Sequence, residues 1–235
     1  MTNTLSPGDK VVTFRYGQFS HLWVDMQQRL GLDVTVVDCP WGEGAHEDKL
    51  ADILSGLGGK DYKAVCVVHN ETATGITSDI PRVREAMDAS GSDALLLVDG
   101  VSSIGALPFK MDEWRVDVAV TGSQKALSLP TGLGVVCASE KALSKMASAK
   151  LKRVYFDFQC APPHCLRVCG NSDSTSEPAR PAQRVPAEEQ VLVCVTAERC
   201  SVSAELGRQM TGTVGAVCLC VLAVALLRGR KLLKL

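Results

Sequence analysis

The run Ala94–Val98, ALLLV, followed at once by Asp99 and Gly100, restricts what this chain can fold into more than any other stretch. An unbroken apolar run offers water no polar side, so as a strand it must be covered on both faces. Sheets covered on both faces are mostly parallel, with helices in the crossovers. The first 157 residues supply what such a sheet needs. KVVTF, DVTVVD, AVCVVHN, DVAVTG and GLGVVCAS read as further strands, and SHLWVDMQQRLG, HEDKLADILSGLGG, TSDIPRVREAMDA and EKALSKMASAK read as helices. The predicted class is α/β, a mostly parallel sheet with flanking helices.

Helix boundaries are marked locally. Leu22, Met26 and Leu30 recur at helical spacing and Gly31 is a natural stop. HEDKLADILSGLGG carries acidic residues in its first turn and glycines at its end, which suits the helix dipole and a left-handed C-cap. Ser78 and Asp79 are cap candidates for a helix that continues through Val83 and Met87.

This rhythm stops near residue 158. Residues 159–209 are rich in Pro, Ser and Cys without a sustained period, so low order is expected there. Residues 210–227 are uncharged and as a helix would span about 27 Å, close to the roughly 30 Å of a hydrocarbon core. Two readings follow for this tail. Either it is a C-terminal membrane helix with Arg228, Arg230 and Lys231 at the interface, or it is sequence unrelated to the domain, joined by a change of frame or splicing.

Seven of the ten cysteines lie in the tail, while Cys39, Cys66 and Cys137 sit in apolar runs and read as reduced, intracellular thiols. CAPPHCLRVC lacks the paired C-x-x-C halves of a zinc site, so no metal is expected. A formal net charge of −1 argues against a nucleic-acid surface. The first residues carry no secretory signal.

Function should lie just beyond the carboxyl ends of the strands. Three polar segments fall there: His69–Gly75 (HNETATG), Asp99–Gly105 (DGVSSIG) and Thr121–Lys125 (TGSQK). Together they bring a carboxylate, several hydroxyls and one amine to a single rim. Pyridoxal phosphate chemistry uses that combination, a lysine for the Schiff base and an acid to hold the pyridinium nitrogen protonated. An ion pair at about 3 Å and an effective dielectric near 20 gains roughly 5 kcal/mol before desolvation. The lysine must lose its proton to attack an aldehyde, so partial desolvation is expected around Lys125. His69, Ser102 and Ser103 read as structural, since no G-x-S-x-G elbow is present.

The segments HNETATG, LLLVDGVSSIG, MDEW and VDVAVTGSQKALSLPTGLGVVCAS resemble the class V, fold type I aminotransferases. The likeness is strongest to the peroxisomal serine–glyoxylate and alanine–glyoxylate members, and it covers residues 5–158. It implies a partial large, cofactor-binding domain with pyridoxal 5′-phosphate as cofactor. Lys125 then matches the Schiff-base lysine, Asp99 the partner of the pyridine nitrogen, Gln124 a residue near the cofactor phosphate, and Thr72 the hydroxyl near the ring's 3′ oxygen. Val101 packs on the ring opposite an aromatic that falls at Phe19, with Trp23 as the neighbouring alternative.

The implied reaction moves an amino group from serine or alanine to glyoxylate, giving glycine. The implied partners are small amino and 2-oxo acids and a second subunit of a homodimer. The family address is the peroxisome, although the terminal LLKL is not an SKL-type signal. The resemblance also implies that a Ser-Gly phosphate loop before residue 5 and a small domain with a carboxylate-gripping arginine after Phe158 are missing. Weak cofactor affinity is therefore expected, and a non-catalytic, membrane-tethered relic is the alternative.

Overall fold

The computed structural model describes residues 1–131, 133–153, 167–169 and 190–197. The strands and helices read from the sequence up to residue 145 are present: β1 (Lys10–Arg15), α1 (Gln18–Arg29), β2 (Asp33–Asp38), α2 (Glu47–Ser55) and β3 (Tyr62–Val68). A small hairpin follows, β4 (Asn70–Glu71) and β5 (Ile76–Thr77), then α3 (Ile80–Ala89), β6 (Leu95–Asp99), β7 (Val118–Gly122), β8 (Leu133–Ala138) and α4 (Glu140–Lys145). Two further strands, β9 (Arg167–Cys169) and β10 (Gln190–Ala197), lie where the sequence reading placed no element. Residues 210–227 and Cys160, His164 and Cys165 lie outside the described residues. Among the described residues no helix is long and apolar enough to cross a membrane.

The main sheet has the order β2-β1-β3-β6-β7-β8-β10-β9. Its first five strands are parallel, and β8, β10 and β9 continue it in antiparallel pairings. Every residue of β6 is buried, as the ALLLV run requires. The chain starts in β1, moves outward to β2 and then crosses to β3 on the other side, so the winding reverses between β1 and β3. Such a reversal opens a crevice at the carboxyl ends of the two strands.

The sheet divides two apolar layers. One gathers Val12, Phe14, Val65, Val67, Leu96 and Val98 under Leu50, Leu54, Ile80, Val83 and Met87 of α2 and α3. The other gathers Val11, Ala64, Cys66, Leu95, Leu97 and Val118 under Leu30 and Trp23 of the α1 segment and Ala142 of α4. Alternation along each strand feeds the two layers in turn.

Helix α3 follows its sequence signals closely. The Asp79 carboxylate accepts the Arg82 backbone N–H at 3.1 Å, and Pro81 sits in the first turn, where a missing N–H removes no helical bond. Helix α2 departs in one detail. Its C-cap, Gly56, is extended, and the left-handed residue is Gly58, at φ 78°, which opens a short 3-10 turn over Gly59–Asp61.

Helix α1 differs more. Leu22 and Met26, the residues that announce the helix, are 47% and 40% exposed. Its buried face is Ser20, Val24 and Gln27, two of them polar.

Candidate active site at the carboxyl ends of the strands

The turns that follow β1, β3, β6 and β7 form one rim, and hydrogen bonds lace them together. Ser102 Oγ, after β6, donates to the Asn70 carbonyl at 2.7 Å and lies 3.0 Å from Asn70 Oδ1, after β3. The loop after β6 also meets the loop after β7: a Cβ placed on Gly105, whose φ is 93°, would stand 3.1 Å from Cβ of Ala126.

Asp99 closes β6, in register with Val68 of β3 and Val120 of β7. Its carboxylate is buried and accepts two N–H groups, Val101 N to Oδ1 at 2.9 Å and Trp23 Nε1 to Oδ2 at 2.9 Å. Burial pushes its pKa above the usual carboxylate value; the Val101 and Trp23 donors oppose that rise, and the Glu71 charge adds to it. Val101 itself is half-buried beside it.

Lys125 and Gln124 sit on the loop after β7. This loop is tied across its base by Ser123 Oγ donating to the Pro130 carbonyl at 2.6 Å and by Leu129 N donating to the Ser123 carbonyl at 3.0 Å. Gln124 folds back over Gly122, where an added Cβ would stand 2.6 Å from Gln124 Oε1. Lys125 is exposed, and its amine makes no hydrogen bond or ion pair among the described residues. The partial desolvation expected from the sequence is therefore not found. The loop closes on itself at its base and leaves Lys125 exposed among the described residues.

Thr72 is exposed at the tip of the β4–β5 turn. Phe19 lies in the first turn of α1, its side chain 42% exposed, and its backbone N–H donates to Glu71 at 3.2 Å. Trp23, one turn further along, points inward to Asp99. The structure thus brings Asp99, Val101 and Trp23 together directly. Lys125 and Gln124 lie on the loop after β7, Thr72 on the β4–β5 turn and Phe19 in the first turn of α1.

Sequence reasoning missed Glu71. Its carboxylate is fully buried and accepts the N–H groups of Phe19, Ser20 and Ala73 and the Ser20 hydroxyl at 2.9–3.2 Å. A carboxylate is well placed at the positive end of a helix dipole. The Phe19 and Ser20 N–H groups of the first turn of α1 are thereby taken up by a side chain of the protein itself. The signal was an acid inside HNETATG, but which helix it would cap depends on the crossover between β1 and β3.

His69 is buried and hydrogen-bonded at the end of its strand. Its Nδ1 lies 2.9 Å from Ser103 Oγ, its ring packs against Phe109 and Trp114, and burial lowers its pKa to about 4.

A family model described as aminotransferase class-V matches residues 1–158. The chain belongs to the class V aminotransferase family. The relatives within this family are close over that region. A serine–glyoxylate aminotransferase of Arabidopsis thaliana is 60% identical over 158 residues, covering 67% of this chain and 39% of that protein. A serine–glyoxylate aminotransferase of Methylorubrum extorquens is 58% identical over 164 residues, covering 68% of this chain and 41% of that protein. The crystal structure of an alanine–glyoxylate aminotransferase from Nostoc superposes with a TM-score of 0.58 at 34% identity, covering 66% of this chain and 40% of that one. The chain thus spans about two fifths of the length of the curated relatives it matches. The cofactor of the family is pyridoxal phosphate, and the mostly parallel sheet with helices described above matches the fold of its members.

Proposed function

We propose that the protein from which this domain comes transfers an amino group from serine or alanine to glyoxylate, forming glycine, with pyridoxal phosphate held at the rim described above. The observation that carries this reading is Asp99, a buried carboxylate at the carboxyl end of β6 beside the β1–β3 crevice, held by two N–H donors, one strand away from the loop that presents Lys125. The residues present fit the cofactor. Besides the buried acid there is an exposed amine without a partner among the described residues. Thr121 Oγ1, four residues before that amine, is buried without a hydrogen-bond partner.

Pyridoxal phosphate, when bound, supplies an aldehyde that captures an amine covalently and a protonated ring that withdraws electrons from the bond being broken. Lys125 is the amine that would hold it, and once displaced by the donor amino acid its Nζ carries the α proton away and returns it. Asp99 keeps a negative charge against the ring nitrogen, so that the nitrogen stays protonated. Val101 and Phe19 would offer the ring apolar surface. Thr72 would supply a hydroxyl and Gln124 an amide to the same group.

Borohydride reduction of the chain in the presence of pyridoxal phosphate tests the reading. The reduced label is expected on Lys125 by peptide mass spectrometry, and Lys125→Ala abolishes it together with the absorption band of the lysine-bound cofactor. Label on another lysine, or a band that survives in Lys125→Ala, overturns the assignment. In the full-length protein, serine- or alanine-dependent conversion of glyoxylate to glycine is expected to vanish with the same substitution.

A further inference from the structure

Three polar side chains on the inward face of α1 reach three different parts of the sheet. Ser20 Oγ donates to Glu71 beyond β3 at 3.0 Å, Trp23 Nε1 donates to Asp99 at the end of β6 at 2.9 Å, and Gln27 Oε1 accepts the Thr13 hydroxyl of β1 at 2.6 Å. Residues three and four apart share a helix face, so these contacts fix the rotation of α1 about its own axis. The middle contact falls on the carboxylate assigned to the cofactor nitrogen.

Among the described residues Asp99 has one other donor, Val101 N, only two residues along its own loop. The bond from Trp23 is therefore the hydrogen bond that ties this carboxylate to a separate element. Each carboxylate oxygen has two lone-pair sites, so one N–H on each leaves capacity for a ring nitrogen. The reach of Trp23 is set in turn by Glu71, which binds the first turn of α1 through Phe19 N, Ser20 N and Ser20 Oγ. Gly17 leaves room for this: a Cβ there would stand 2.3 Å from Glu71 Cγ.

We propose that Trp23 is a positioning residue for Asp99, fixing the carboxylate toward the cofactor ring, and that Glu71 sets the depth of that contact by locking the start of α1. This rests on the functional reading given above. The charged group that acts on Asp99 from a neighbouring element is Glu71, which raises its pKa as burial does, whereas the Trp23 and Val101 donors lower it. Removing the indole N–H therefore makes Asp99 easier to protonate.

The test uses the full chain with carboxyl-labelled aspartate, followed by NMR against pH. In the unmodified protein the Trp23 indole N–H resonance is expected to move with the titration of Asp99, and Asp99→Asn removes that movement. Trp23→Phe keeps most of the ring's bulk and loses the donor. It is expected to raise the Asp99 midpoint by about one pH unit and to weaken pyridoxal phosphate binding about tenfold. Val24→Ala disturbs the packing of the same helix without touching Asp99, and its Asp99 midpoint is expected to stay in place.

An unmoved midpoint in folded Trp23→Phe, or an equal shift in Val24→Ala, overturns the proposal. If Trp23→Phe does not fold, an indole resonance in the unmodified chain that ignores the Asp99 titration overturns it as well. Failure of the borohydride label at Lys125 in the unmodified chain overturns the functional reading instead, whatever Asp99 does.

Discussion

Helices α1 and α3 carry the same apolar spacing and use it in opposite ways. Ile80, Val83 and Met87 of α3 stand at i, i+3 and i+7, and all three are buried against the sheet. Phe19, Leu22 and Met26 of α1 stand at the same intervals, and all three are among the exposed large apolar side chains. Periodicity therefore fixed that both segments are helices but not which face turns inward. On α3 the buried polar side chain, Arg84, pairs with Asp88 one turn along the same helix and so does not contest apolar burial against the sheet. On α1 three hydrogen bonds to Glu71, Asp99 and Thr13 anchor the opposite face, and turning the helix to bury Leu22 would leave buried acceptors without partners.

The largest expected effect lies on α3. Met87→Ala opens a cavity in a fully buried layer and is expected to cost about 3–4 kcal/mol in urea denaturation. Met26→Ala, its counterpart on α1, is expected to cost under about 0.5 kcal/mol. A similar loss at both sites would break the comparison.

Acid should act next most strongly, through the α3 side of the sheet. His69 is held neutral, with a pKa of about 4 against an ordinary value near 6.5. Above pH 6.5 both folded and unfolded forms are neutral and His69 contributes nothing. As pH falls from 6.5 toward 4, the unfolded chain takes up the proton first, and stability falls by about 3 kcal/mol. In His69→Asn that segment of the stability–pH curve is expected to flatten.

Gly17→Ala strikes the polar anchoring of α1, since its Cβ must displace the buried Glu71 side chain. A loss of about 2 kcal/mol is expected, with faster hydrogen exchange at the Phe19 and Ser20 amides. Ser20→Ala removes one anchor and is expected to cost about 1 kcal/mol. Leu22→Lys, on the exposed stripe, is expected to change stability by no more than about 0.5 kcal/mol. A destabilisation larger than that of Ser20→Ala would show that the stripe is covered in solution.

Much of the site was legible because its signals are local. Asp99 follows an apolar run that can only be a central strand, and Lys125 follows another, so both fall at the carboxyl rim once the sheet is parallel. Glu71 was not legible. Its partners are some fifty residues earlier in the chain, and nothing within HNETATG says that the start of α1 lies above it. Trp23 was legible only as an alternative aromatic, because its hydrogen bond to Asp99 spans 76 residues of sequence. The exposure of Lys125 also escaped the sequence, since it depends on how the loop after β7 closes through Ser123 and Pro130.

The sequence by itself determined a mostly parallel α/β sheet, the strands and helices up to α4 other than the β4–β5 hairpin, and the places of Asp99 and Lys125 just after two of those strands. Those follow from short-range physics: apolar runs, caps and glycines act within a few residues. Only the tertiary structure decided which face of α1 turns inward, which carboxylate holds its first turn, and which indole meets Asp99. Those choices rest on single hydrogen bonds to buried groups between distant segments, where an unmet partner costs more than an exposed apolar side chain gains by burial.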